Sequence, residues 1–366
     1  MNKTSTVTYK GLLDKYENFI SPAVSITIGS KTYTSQEVHM SSVQVELTAN
    51  GAASGCTINI SGQYDQKNSK WTNNLPDNLK PGATLKISMG YVETKEVFYG
   101  YVDDYYVEYS GDHGARLVIN GLDGLGYLMH LQEPLYAGQQ TPKAIIEAIL
   151  TKSKTAGFAT SVSVGNLSGF DTPIVKEQIS DWKFLNLMAA RYGAVLFAID
   201  GELIFDDMLS NTTALITLGV QAGLRSFSRR VSLAHQIGKV IVKGRDVNQA
   251  PIEGSADSVS LNGTSGQSAS EYVSGLSGAV LREYSEYVRT ADECTKMAQN
   301  RLNMIAMEFV SGEGTCIGIP DLIPGRYITI AGLDDKTNNT YFMTRVSHSF
   351  TPEGYSTTFE VRGAKI

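Results

Sequence analysis

Leu79-Lys80-Pro81-Gly82-Ala83-Thr84-Leu85-Lys86-Ile87 is echoed, about 240 residues later, by Leu322-Ile323-Pro324-Gly325-Arg326-Tyr327-Ile328-Thr329-Ile330. A strand follows each Pro-Gly turn. About 20 residues past each glycine the pattern predicts a second strand, around Val102 in one copy and Val346 in the other. A third, across a Gly-bearing turn, ends on Gly121 or Gly363. Three strands in matching order and spacing imply two copies of one small β-domain, and duplicated β-domains are a way of making rings.

Working outward, the first β region alternates strictly at Val24–Ile28, Val43–Leu47 and Cys56–Ile60. That period-two pattern means a sheet with one buried and one wet face. With Leu85–Tyr91, Val97–Tyr109 and Arg116–Asn120 it amounts to roughly six strands, enough for a small barrel or sandwich. Residues 133–232 read differently, as a small α+β insert. Thr141 is placed to cap a helix with Pro142 at its first position, and Ala144, Ile145, Ala148 and Ile149 share one face. Ser180 caps a second helix, with Trp182, Leu185, Ala189 and Tyr192 inward and Gly193 at its end. Asp200-Gly201 then supplies a type I′ turn between Ala194–Ile199 and Glu202–Phe205.

The β pattern returns with Val240-Ile241-Val242, and residues 233–366 read as the second β-domain. Residues 248–278, rich in Ser, Gly and Ala, read as a long mobile loop. Thr290 with Glu293 forms a capping box for a helix over 291–310, whose Ala298, Leu302, Ile305 and Phe309 face is expected to lie on the second barrel. Residues 1–21 are an N-terminal arm and 22–132 the first β-domain. The fold class is therefore α+β and β-rich, with two related β-barrels flanking the insert.

Composition agrees: 366 residues suit two or three domains, and 35 glycines and 19 tyrosines among Val/Ile/Thr runs favour β structure. A net charge of −6 argues against general nucleic-acid coating, which needs a basic face. The polar Met1–Tyr9 has no signal-peptide core and no run of about 18 apolar residues occurs, so synthesis without a signal peptide and no membrane insertion are expected. Cys56, Cys294 and Cys316 are far apart and read as buried thiols.

No catalytic or metal constellation is written in the chain, and no cofactor is expected. His39, His113, His130, His235 and His348 are scattered, and His348 reads as structural, packed or bonded to a neighbouring loop. Asp103, Asp104 and Glu108, with Asp112, form the densest acidic group. Adjacent aspartates on a strand point to opposite faces, which rules them out as a glycosidase pair. A solvated strand explains them, or a lumen lining that keeps passing DNA or protein from sticking. Asp206-Asp207 lacks a calcium-loop pattern, and Gly121-Leu122-Asp123-Gly124-Leu125-Gly126 reads as a turn rather than a phosphate loop. Arg225, Arg229 and Arg230, joined by Lys239 and Lys243, form one basic cluster that reads as a solvated face, with an acidic protein partner as the alternative. Tyr99, Tyr101 and Tyr105 share one parity, so their face suits a subunit contact, with carbohydrate as the alternative.

The order of Phe98-Tyr99-Gly100-Tyr101-Val102, the helix after Thr141-Pro142, Asp181-Trp182-Lys183-Phe184-Leu185 with Gly193 before a hairpin, and Val346-Ser347-His348-Ser349-Phe350 with Gly354-Tyr355-Ser356-Thr357 resembles the baseplate hub proteins of contractile phage tails. These are the late-control D proteins and the amino-terminal part of the valine-glycine-repeat spike proteins of type VI secretion. The resemblance runs from about residue 22 onward. It implies a homotrimer whose two tube-type barrels per chain alternate in a pseudo-sixfold ring, adapting a hexameric tail tube to a trimeric spike. The partners it implies are the tail tube protein, a separate spike protein, and tape-measure and baseplate wedge proteins, in a virion tail, bacteriocin or injection particle. The competing functions are a tail-associated cell-wall hydrolase and a carbohydrate-binding β-protein.

Overall fold

The computed structural model describes residues 5–366 except 73–74, 112–113, 137–140, 168, 171, 177, 208, 210 and 262–265. Ten strands build the duplicated part of the fold. They are β1 (Met40–Thr48), β2 (Gly55–Ser61), β3 (Thr84–Gly90), β4 (Thr94–Ser110), β5 (Gly114–Leu122), β6 (Leu224–Val231), β7 (Val310–Ile317), β8 (Tyr327–Ile330), β9 (Asn339–Thr351) and β10 (Gly354–Gly363). Nine of them run through one 13-stranded sheet in the order β6-β7-β10-β9-β1-β2-β5-β4-β3, continued by Ala23–Ile28 and Lys31–Thr34, and β8 pairs off this path with β9.

The duplication goes further than the Pro-Gly echo. Both β3-β4-β5 and β8-β9-β10 are antiparallel meanders. Gly82 N–H donates to the Val102 carbonyl at 2.8 Å, as Gly325 N–H does to Met343 at 2.8 Å. Val102 N–H returns a bond to Ala83 and Met343 N–H to Arg326. A bulge follows at once in each copy, between Val102 and Asp104 and between Met343 and Arg345. The outer strands match too. A bulge between Met40 and Ser42 in β1 is reproduced between Leu224 and Ser226 in β6. Two four-stranded units, β1-β2-β5-β4 and β6-β7-β10-β9, therefore share registers and two bulges. The true counterpart of Val102 is Met343 rather than Val346, and Gly121 matches Val361 rather than Gly363, because the ladders run through the bulges and not through the glycines.

The units are fused. Arg345–Phe350 of β9 pair antiparallel with Thr48–Val43 of β1, so one ladder runs through both copies. The core beneath it is continuous: Val43, Val45, Ile58, Ile119, Val346 and Phe359 are all buried in one cluster. Each such side chain contributes about 1.5–3 kcal/mol. The arm joins this core. Helix α1 (Tyr9–Lys15), capped by Thr8, buries Leu12 and is followed by buried Tyr16.

The insert has its own core of Ile145, Ile149, Phe184, Leu185, Leu203 and Phe205. Helix α2 (Pro142–Thr155) is capped by Thr141, and α3 (Asp181–Tyr192) by Ser180, with Gly193 left-handed at its end. Asp200 and Gly201 have φ of 50° and 75°, the turn expected between Val195–Ile199 and Glu202–Asp206. At the start of α3, the buried Asp181 pairs with the buried Lys176 and with the partly exposed Lys152, each at 2.8 Å.

Several sequence expectations need correction. Ala214–Leu218 and β6, grouped with the insert by their position before 232, hydrogen-bond to β8 and β7 in the large sheet. Lys239–Arg245, read as the start of the second barrel, instead centres a separate three-stranded sheet. Within the presumed mobile loop, Pro251–Ala256 is a strand of that sheet and Ala269–Tyr272 a helical turn. Helix α4 (Ala291–Ala306) buries Cys294, Ala298 and Leu302 against Val240 and Val242 of the same sheet, so it does not lie on the second barrel. It stops before Val310, which opens β7.

The Pro-Gly corners are equivalent in backbone but not in surroundings. A Cβ on Gly82 (φ 82°) would meet nothing within 4 Å, whereas one on Gly325 (φ 76°) would lie 2.7 Å from the buried Phe197 ring. Gly82→Ala is expected to cost about 1–2 kcal/mol, the left-handed penalty alone. Gly325→Ala adds overpacking and should cost about 2–4 kcal/mol. Urea denaturation of the two variants checks this, and equal losses would contradict it.

Candidate functional site

The candidate surface is the outer face of the eight strands from β6 to β4. Cross-strand partners point the same way, so the face can be read from the registers. Thr315 stands beside Thr358, Ser347 beside Glu46, Ser349 beside Gln44, and Thr57 beside Asn120. It is a field of Ser, Thr, Asn and Gln with dispersed charge. Arg345 pairs with Glu46 at 3.6 Å and Glu360 at 3.3 Å, and Arg116 with Glu108 at 2.8 Å. These half-exposed pairs are worth under about 1 kcal/mol each, so they set register and surface character rather than stability.

The bulges decide where the sequence-predicted residues go. Asp103 and Asp104 are both exposed, contrary to the opposite-face expectation, because the β4 bulge interrupts alternation between them. Asp104 accepts a hydrogen bond from Asn120 Nδ2 at 2.9 Å, and Glu108 is held by Arg116. Asp112 and His113 lie outside the described residues. The same bulge splits the tyrosines. Tyr101 is buried against Phe158 of the insert, ring centroids 4.4 Å apart, and Tyr99 receives Lys86 over its ring at 5.1 Å. Tyr105, past the bulge, turns to the core side with Val107. The three therefore do not share a surface, and Tyr101 is an internal contact.

The arginines divide likewise. Arg225 is exposed at the β6 bulge, Arg229 is half-buried beside Tyr341, and Arg230 is exposed on the outer face opposite Ser311. Lys239 and Lys243 belong to the separate sheet, where Lys243 meets Glu253 at 3.5 Å. Asp123 begins the helical turn Gly124–Leu128, accepting from Ser54 N–H and Leu125 N–H at 2.8 Å, and burial pushes its carboxyl up to about 6. Among the described residues no group of three His, Cys, Asp or Glu could hold a metal ion, and no helix is long and apolar enough to cross a membrane.

One polar cluster was not visible in the sequence. Asp321, at the head of the second Pro-Gly segment, accepts from Tyr16 Oη at 2.6 Å and from Lys15 and Lys95 Nζ at 3.2 and 3.3 Å. Burial pushes its carboxyl up, but Lys95, Tyr16 and Lys15 outweigh that and hold it below the usual range. Asp321 thus ties the second unit to the arm and to β4. His348, buried in β9, fixes the next residue: Nε2 donates to the Leu322 carbonyl at 3.2 Å and Nδ1 accepts from Tyr355 Oη at 2.8 Å. This is the structural role its sequence context implied.

The chain belongs to the family described as the Alg8 N-terminal domain, whose model matches residues 21–352. Its fold is that of phage tail and type VI secretion proteins. The 43 kDa tail protein of prophage MuSo2 from Shewanella oneidensis is 16% identical with TM-score 0.67, over 93% of this chain and 98% of that one. A tail protein from Neisseria meningitidis MC58 is 13% identical with TM-score 0.69, over 94% and 97%. The E. coli c3393 protein, a component of the type VI secretion system, is 14% identical with TM-score 0.58, over 92% and 76%. No curated protein sequence matches the chain.

Burial lowers the His348 imidazole to about 4, below an unfolded value near 6.5. A depressed pKa stabilises the fold above pH 6.5 and loses that contribution as pH falls toward 4. The loss is about 3 kcal/mol. His348→Gln should flatten this acid limb in denaturation curves taken between pH 7 and 4. A variant with the wild-type pH slope would contradict the assignment.

Proposed function

We propose that this protein is a structural, non-catalytic baseplate hub: a homotrimer whose two β units per chain alternate around an axis as a pseudo-sixfold ring. The observation that carries this is the repeated four-stranded unit, with matched registers and bulges, fused into one sheet. Units that look alike from one side can meet a sixfold partner, while the chain itself is present three times.

The polar outer face is the surface suited to line the channel. Three copies of eight strands make about 24, and at ~4.8 Å spacing and ~40° tilt their backbone circle is roughly 48 Å across. That leaves room for far more than an α-helix of about 10–12 Å. A lining of hydroxyls and paired charges gives a translocating DNA or protein chain little to adhere to. Asp103, Asp104 and Glu108 contribute to it alongside Glu46, Glu313 and Glu360, and Arg116, Arg230, Arg345 and Arg362 offset part of that charge, so the lining is polar with a modest negative excess. The fold and its similar structures support partners on both ring faces: a tail tube protein above, a spike protein below, and tape-measure or wedge proteins around them. The particle is a phage tail or a tail-like bacteriocin or injection system.

Native mass spectrometry of the full chain over a concentration series is expected to show a closed trimer. A monomer or an open, growing series at the highest concentrations would contradict the ring.

A further inference from the structure

The eight-stranded outer surface has two open edges. β3 pairs with β4 only as far as Tyr101, so within the sheet residues 103–110 pair with β5 alone. At the other end, among the described residues, β6 pairs with β7 alone. Long unpaired edges invite another strand, and proteins that keep them give them a partner or a block. Resting on the ring reading above, we propose that β6 of one copy pairs antiparallel with the C-terminal half of β4 of the next. This repeats between chains the seam that β9 and β1 make within one.

The register follows from the duplication. β4 corresponds to β9 and β6 to β1, with Asp104 in the place of Arg345 and Arg230 in the place of Glu46. The internal seam sets Val346 against Leu47 and Ser347 against Glu46. The seam between copies then sets Tyr105 against Val231 and Tyr106 against Arg230. The bulges do not obstruct it, since matching bulges flank the internal seam.

Two independent features of the edges fit this partner. Tyr106 and Val231 are 48% and 41% exposed, large apolar groups on the two strands that would meet. The charges also complement. The internal seam carries Arg345 on β9 against Glu46 on β1, 3.6 Å apart. The open edges carry the same pair with signs exchanged, Asp104 on β4 and Arg230 on β6. With β1 and β9 already joined inside each chain, only the β4 and β6 edges remain to meet, and head-to-tail pairing of the two keeps the two kinds of unit alternating.

Charge reversal tests the seam on the full chain. Asp104→Arg and Arg230→Glu are exposed changes, so folding is checked by circular dichroism and assembly by native mass spectrometry. Each single variant should raise the concentration for half-assembly by at least about tenfold, and the double variant should restore it. A wild-type trimer unaffected by either reversal would overturn the seam and leave the ring reading standing. Singles that disrupt without rescue in the double would overturn the register. A wild-type chain that never forms a trimer would remove both.

Discussion

The pairing of Arg345–Phe350 with Thr48–Val43 is the constraint on which the rest of the structure depends. Without it the chain would be two small β units joined by an insert. With it, every strand from β6 to β4 lies in one ladder, and the relation between the copies is fixed by backbone hydrogen bonds rather than a flexible link. Apolar side chains supply the stability of the joint, because Val43, Val45, Leu47 and Val346 are each buried and worth more than the exposed Arg345–Glu46 pair above them. That ion pair acts on register, where a slip of one residue would turn every inward side chain outward.

A second layer of contacts stops the copies from swinging apart at the other end. Asp321 collects Tyr16 and Lys15 from the arm and Lys95 from β4, and His348 holds the adjoining Leu322 carbonyl. Tyr91 Oη reaches the Gly318 carbonyl at 3.0 Å, adding a further bond from the first copy to the second. These groups are largely buried, so their hydrogen bonds are costly to leave unmade and resist partial opening. The second Pro-Gly corner is accordingly packed on all sides, while the first stands in open space. Duplicated backbones have here been given different duties by their surroundings.

Much of this was legible in the sequence. Alternation at Val24–Ile28 and Val43–Leu47, the caps at Thr141, Ser180 and Thr290, and the Asp200-Gly201 turn all depend on local chemistry, and the structure has them where the sequence puts them. The Pro-Gly echo located both meanders. What could not be read were the bulges. One extra residue at Asp103 shifts the face of every later residue in β4, so parity arguments for the aspartates and for Tyr105 fail beyond it. Position along the chain misled as well: β6 follows the insert but pairs with β7 across a long separation, a tertiary choice that no local pattern records. The edge residues Asp104 and Arg230 stood out as charge clusters, yet their complementarity emerges only when the two copies are superposed strand by strand.

On the proposed function, two fused, equivalent β units make a sixfold-looking ring from three chains. An end-on electron cryomicroscopy reconstruction of the assembled protein tests this most directly. Three chains presenting six similar lobes, with a β ladder unbroken around a polar channel, are expected. A ring with three lobes only, or one whose sheets face outward and leave the insert around the axis, would contradict it.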